Sequence, residues 1–266
     1  MITPATLSGT MAGYRDYCSR LPVLVLLLLF SLNVFAQATS KARIDGKWFS
    51  YPQRTGNARL DPSVSLLPTA APEPPLKAEY LQAWKEEQEK IRQANAEGRP
   101  IATHYTHCIP DGMPAMMMGM FPMEVLESPG QVTIIQEAYN QVRRIYLDAE
   151  QVHYADAEPR FWGHSVGRWE GDTLVVDTVG IKEYVRFRDV PHSNQMRITE
   201  RIRLVSDDIM EDEVTVEDPV YLTGPWTWKW MYERHPEYRM YEYVCEDNRE
   251  FADPATGATR LRIKER

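Results

Sequence analysis

The most telling chemical feature of the chain is a carboxylate on an apolar face. Residues 196–205 alternate strictly, with Met196, Ile198, Glu200, Ile202 and Leu204 on one side and Arg197, Thr199, Arg201 and Arg203 on the other. A strand of this kind carries Glu200 into a core. Burial there penalises its charge unless a cation pairs with it or a proton neutralises it. Glu200 is therefore a candidate general acid or base. The alternative is a structural ion pair, with Arg144 as the expected partner, since Val142, Arg144 and Tyr146 share a face of a neighbouring segment. Glu137, in phase with Ile135 and Tyr139, invites the same argument more weakly.

Two histidines could carry protons. His192 is followed by Ser193 and preceded by Asp189, so a carboxylate could hold its ring for proton shuttling. The plainer expectation is a turn in which Asp and Ser cap backbone amides. His164, between Trp162 and Trp169, could point into a pocket mouth or be a satisfied structural residue. No Gly-x-Ser-x-Gly elbow, phosphate loop, zinc pattern or dinucleotide fingerprint is present. No cofactor is implied.

His104, His107 and Cys108 precede Met116, Met117, Met118, Met120 and Met123. Imidazole and thioether ligands suit Cu(I). The spacing is not a regular ligand motif, however, and methionine is also a pliable apolar filler. Trp226, Trp228, Trp230 and Tyr232 make an aromatic stripe at strand spacing, with Tyr241 and Tyr243 further on. Such a stripe suits a core, or a pocket for an apolar or ring-shaped molecule.

The elements that must position these groups are mostly strands. Strand signals fall at 132–139 and 141–147 around Asn140, and within 161–180 on either side of Glu170, Gly171 and Asp172. They continue at 196–205 and 211–220 across Ser206, Asp207 and Asp208, then at 226–232 and 238–245. About eight sequential antiparallel strands usually close on themselves. The expected fold is a mainly β, up-and-down barrel spanning 101–266. Residues 37–100 are expected to form an irregular, Pro-rich segment and one helix over 77–96, packed outside the barrel. Leu81, Trp84 and Ile91 mark the helix's apolar positions, and Gly98 and Pro100 its end.

Residues 1–36 read as a secretory signal. Arg15 and Arg20 precede an uncharged apolar run, and Val34 and Ala36 stand at the small-residue positions of a cleavage site. The run is too short for a bilayer span, so no membrane span is expected after cleavage, and the location would be periplasmic or secreted. Cys18 leaves with the leader. Cys108 and Cys245 then form an even pair, as a disulfide in an exported chain or as two buried thiols. With 43% hydrophobic residues and a net charge of −8, the chain is neither disordered nor a basic nucleic-acid binder.

The run W-G-H-S-V-G-R-W-E-G-D-T-L-V-V-D-T at 162–178, with P-H-S at 191–193 and Y-V-C-E-D-N at 243–248, resembles a family of exported bacterial proteins of unassigned function. The matching stretch runs from about Cys108 to Asn248. More loosely, strands entered through Trp-x-Gly-Asp are similar to those of lipocalin-like barrels. The family brings no catalytic residues to carry over.

These readings converge on an exported barrel that binds a small apolar or aromatic molecule. As an enzyme it would be a cofactor-free isomerase, hydratase or lyase. Glu200 and His192 would move protons, and Arg144 or His164 would orient or stabilise charge. Glu137, Tyr146, Trp162, Trp228 and Trp230 would line the ligand site. The alternatives are a binding protein without turnover and copper handling through the methionine loop.

Overall fold

The computed structural model describes residues 44–51, 70–99, 101, 108–147, 149–245, 250–252 and 259–261. Residues 1–36, expected to be a secretory signal, and His104 and His107 lie outside them. Nine strands close into a barrel: β1 (Gly46–Ser50), β2 (Met123–Ser128), β3 (Gln131–Gln136), β4 (Gln141–Leu147), β5 (His164–Glu170), β6 (Thr173–Val179), β7 (Arg197–Ser206), β8 (Ile209–Glu217) and β9 (Trp226–Arg234). A further pair, β10 (Glu250–Ala252) and β11 (Thr259–Leu261), makes a small separate sheet.

The expected β class and barrel closure hold, with three corrections. First, the barrel does not begin at residue 101. β1 lies in the stretch read as irregular, and β2 follows the methionine loop directly. β1 closes the ring by pairing with both β2 and β9. Second, residues 238–245 form no strand. The place expected for them beside β9 is taken by β1. Third, β4 and β5 run parallel, through Ile145↔Ser165 and Leu147↔Gly167. A closed ring of nine strands cannot alternate direction at every neighbour, so an odd number of parallel pairs is obligatory. One suffices here.

Alternation sends Val132, Ile134, Ile145, Leu174, Val176, Ile198, Ile202 and Val214 inward, all fully buried. The two ends of the barrel differ. At one end the connections are tight turns, at Gly130, Gly171 and Asp207–Asp208. Gly171 and Gly130 supply the left-handed backbone those turns need. At the other end, the mouth, the β3–β4 link is short but the others are long. The methionine segment from Met113, the 180–196 connection and the 218–225 connection all converge there.

The helix α1 (Ala78–Ala96) packs at the mouth as well. Trp84 is its one buried side chain, and its indole N–H donates to the Arg188 carbonyl at 3.0 Å. Tyr80 meets Tyr221 ring to ring at 4.5 Å. Among the described residues no helix is long and apolar enough to cross a membrane. Cys108 and Cys245 are joined by a disulfide, as the sequence suggested, which ties the chain after β9 to the loop before β2.

Candidate functional site

Glu200 lies inside the barrel, as its alternation requires, and is fully buried. Its partner is Arg143. The guanidinium donates Nη1–H to Glu200 Oε1 at 2.8 Å and Nη2–H to Glu200 Oε2, a two-pronged pair. It also donates Nε–H to Ser165 Oγ at 3.1 Å and Nη2–H to Thr178 Oγ1 at 3.0 Å, and those two hydroxyls bond each other at 2.8 Å. Four adjacent strands, β4 to β7, each supply one member.

Arg144 is exposed, so the expected partner was one residue off. The cause is the short 3₁₀ turn Ala138–Asn140, where Tyr139 and Asn140 adopt left-handed backbone. It sets Gln141 opposite Gln136 and sends the odd-numbered residues of β4 inward. The same shift turns Tyr146 to the surface, where it stacks on His164 at 5.9 Å between centroids. His164 faces outward from β5 and meets the Gln151 side chain at 2.9 Å. Partial burial first, and then the Arg160 charge, push its pKa down.

Glu137 also misses the interior. It caps the outlying C-terminal segment, accepting from the Tyr238 hydroxyl at 2.6 Å and the Tyr241 amide at 2.9 Å. Burial and this carboxylate push the Tyr238 hydroxyl up to about 12. Tyr243 packs on Tyr139 and Phe121, away from the tryptophan stripe. Trp162 is half-buried, with its indole N–H on Gln141 Oε1 at 3.2 Å.

The aromatic stripe is interior, as expected. Trp226 and Trp228 are buried, and Trp230 is partly so. Beside the stripe is a carboxyl that the sequence reading passed over. Asp212 on β8 is fully buried and stands opposite Ile202 on β7 and Trp230 on β9. The Tyr232 hydroxyl stands beside it but donates to the Met117 carbonyl, so neither Asp212 oxygen receives a well-formed hydrogen bond, and the buried indole N–H of Trp228 has no acceptor. Burial foremost, then the nearby Glu200 charge, drive the Asp212 pKa well up, against the pull of Arg143. Its signal was legible, because Met210, Asp212, Val214 and Val216 alternate just as the Glu200 strand does.

At the mouth, Met113, Val185, Val190, Met196, Leu222 and Trp226 line an apolar cleft, with His192 and Asp218 on its wall. Its enclosed space is only about 20 Å³, room for about one water, and the rest of the cleft is open to solvent. His192 is buried, its two ring nitrogens against the Val185 carbonyl at 2.9 Å and the Ser193 carbonyl at 3.1 Å. Asp189 does not hold it. That carboxylate faces outward and accepts from Gln88 Nε2 at 3.0 Å. Ser193 instead pairs with Asp218, which takes the Ser193 amide at 2.6 Å, the hydroxyl at 3.0 Å and the Val220 amide at 2.9 Å. Asp218 is thus a turn cap of the kind expected for Asp189.

Met113, Met116, Met117 and Met123 are buried in the core. Two buried glutamines fix this segment across the mouth, Gln136 Nε2 donating to the Met116 carbonyl at 2.7 Å and Gln141 Oε1 accepting the Gly112 amide at 3.3 Å. Cys108, held in its disulfide, offers no thiolate. Among the described residues no group of three or more His, Cys, Asp or Glu side chains is arranged to hold a metal ion. Comparison with protein-family models and with curated proteins gives no match to this chain.

Proposed function

We propose that this barrel binds a small apolar or aromatic molecule at its mouth and holds it without turnover. The carrying observation is the cleft itself, apolar over most of its wall, with its two polar residues committed to the protein's own backbone. A reactive pair would present a free base and acid to the cleft. Here His192 and Asp218 are spent on holding the loops that form it. Glu200, locked into Arg143 from two sides, is likewise a structural group. The cleft lies at the mouth of the barrel, where barrels often take ligands. The lipocalin-like description, the exported location and the membership suggested by the 162–178 motif belong to the same reading. The disulfide and the apolar leader support export.

A second reading keeps turnover but moves it. An isomerase, hydratase or lyase would rely on Asp212, the buried carboxyl whose neighbouring hydroxyl, that of Tyr232, is spent on the Met117 carbonyl.

Native mass spectrometry of protein recovered from the periplasm tests the main reading. The expected result is a retained organic mass that disappears in Val190→Lys while the fold stays intact. A bare chain that also fails to take up any apolar probe overturns it.

A further inference from the structure

The stripe of tryptophans already holds a ring. Phe187, from the 180–196 connection, stacks on Trp228 at 5.1 Å between centroids with planes 25° apart. It also touches Trp226 at 5.6 Å and meets Trp230 edge-on at 5.9 Å. This residue lines the mouth cleft too, so its ring is both wall and filling. It satisfies only the apolar half of its surroundings. The buried indole N–H of Trp228 has no acceptor, and the buried carboxyl of Asp212 has beside it the Tyr232 hydroxyl, which gives its own proton to the Met117 carbonyl. The register sets Asp212 opposite Trp230 and Val214 opposite Trp228, so Asp212 and Trp228 are diagonal neighbours on one inner face. A benzyl ring cannot answer either group. A hydroxyl, which both donates and accepts, answers both.

The turn that carries Phe187 is strained and is held from outside. Arg188 and Asp189, both non-glycine, hold left-handed backbone at φ 54° and 58°. Side-chain bonds from outside hold the turn in place: Trp84 Nε1 on the Arg188 carbonyl, Gln88 on Asp189, and Arg188 on the carbonyls of Ala71 and Pro72. Releasing the turn relieves two unfavourable residues and leaves most of those groups facing water.

We infer that Phe187 is the built-in occupant of an aromatic slot, and that the slot's ligand is a flat phenol-type molecule that displaces the Phe187 ring from Trp228 and places its hydroxyl at Trp228 Nε1 and Asp212. The inference rests on the binding function proposed above and adds the ligand's polar half and the gate.

Titration calorimetry with 1-naphthol and naphthalene tests both parts, on the full chain with its disulfide intact. In Phe187→Ala, 1-naphthol is expected to bind at least about 10-fold tighter than in the wild type, since no resident ring must leave. It is also expected to be preferred over naphthalene by about 10-fold, the worth of one buried hydrogen bond. Adding Asp212→Leu should erase that preference and leave naphthalene binding intact. Phe187→Leu, which keeps the apolar volume, reads the same displacement should the alanine variant not fold.

Equal 1-naphthol affinity in wild type and Phe187 variants overturns the displacement and leaves the outer cleft as the binding site. Equal affinity for the two compounds in Phe187→Ala overturns the polar half. No binding of either compound to any variant overturns this inference and the binding function together.

Discussion

Arg143 and Glu200 meet inside the barrel from strands that are not neighbours, β4 and β7, and the two hydroxyls between them, Ser165 and Thr178, come from the strands that separate them. The pair is thus a belt across four strands. Its members are buried to 1% and 0% exposure, so neither charge has water to fall back on. Removing one partner leaves the other uncompensated. Glu200→Met is expected to cost about 3–5 kcal/mol in urea unfolding, and Arg143→Met as much. The double variant should cost far less than the two together, because two apolar side chains replace two desolvated ions. Additive losses would show that the pair is not coupled as its geometry requires.

Asp212 sets a pH dependence of opposite sign to that of a salt-bridged carboxylate. Its folded pKa lies well above the unfolded value of about 3.9. The folded state therefore holds the proton more tightly, and full stability is present below about pH 4. Stability is lost as pH rises from there through the raised folded value. Asp212→Asn cannot ionise, so it should gain on the wild type as pH rises above about 4. The two unfolding curves should converge below about pH 4. A gap that stays constant with pH would show that the carboxyl does not titrate in this way.

The disulfide closes a loop of 137 residues. Chain-entropy reasoning for so long a loop gives about 4–5 kcal/mol of stabilisation. Cys245→Ala should show most of that loss in denaturant, with an unchanged β-rich circular dichroism spectrum. It should also free residues 238–245 from Glu137, seen as faster amide exchange at Tyr241. Unchanged exchange there would show that the Glu137 contacts hold the segment unaided.

Two glycines with nearly the same backbone separate conformation from crowding. Gly163 and Gly171 sit at φ 63° and 64°. A Cβ at Gly163 would stand 2.5 Å from the Val179 carbonyl oxygen, whereas at Gly171 it meets open space. Gly171→Ala should cost about 1 kcal/mol, the left-handed penalty alone. Gly163→Ala adds overpacking against β6 and should cost about 2–4 kcal/mol by thermal unfolding. Equal losses would mean that β6 gives way freely.

Seven of the nine barrel strands were legible, some from a period of two as at 196–205 and some from a β-prone run as at 173–179. β1 and β2 were not. Gly46–Ser50 is five residues in a Pro- and Gly-rich neighbourhood, and Met123–Ser128 is half methionine and glutamate by character. Neither earns strand status by propensity; each is a strand because its neighbours offer open edges. Glu200 was readable from alternation within one uninterrupted strand. Arg143 was not, because its facing depends on how the turn at Ala138–Asn140 counts residues into β4. Asp212 lay in plain sight under the same rule that found Glu200. The pairing of Ser193 with Asp218, rather than of His192 with Asp189, is a contact across 25 positions that no local pattern announces.

β1 has its partners at opposite ends of the chain. Trp48 is flanked by Met123 on one side and Arg234 on the other. Although β1 is made first, its second edge stays unmatched until β9 has been synthesised. A ribosome therefore delivers an open curved sheet, and the ring shuts only at the end of translation. A chain cut short before Trp226 would expose the edges of both β1 and β8, making premature termination a route to aggregation rather than to a smaller stable barrel.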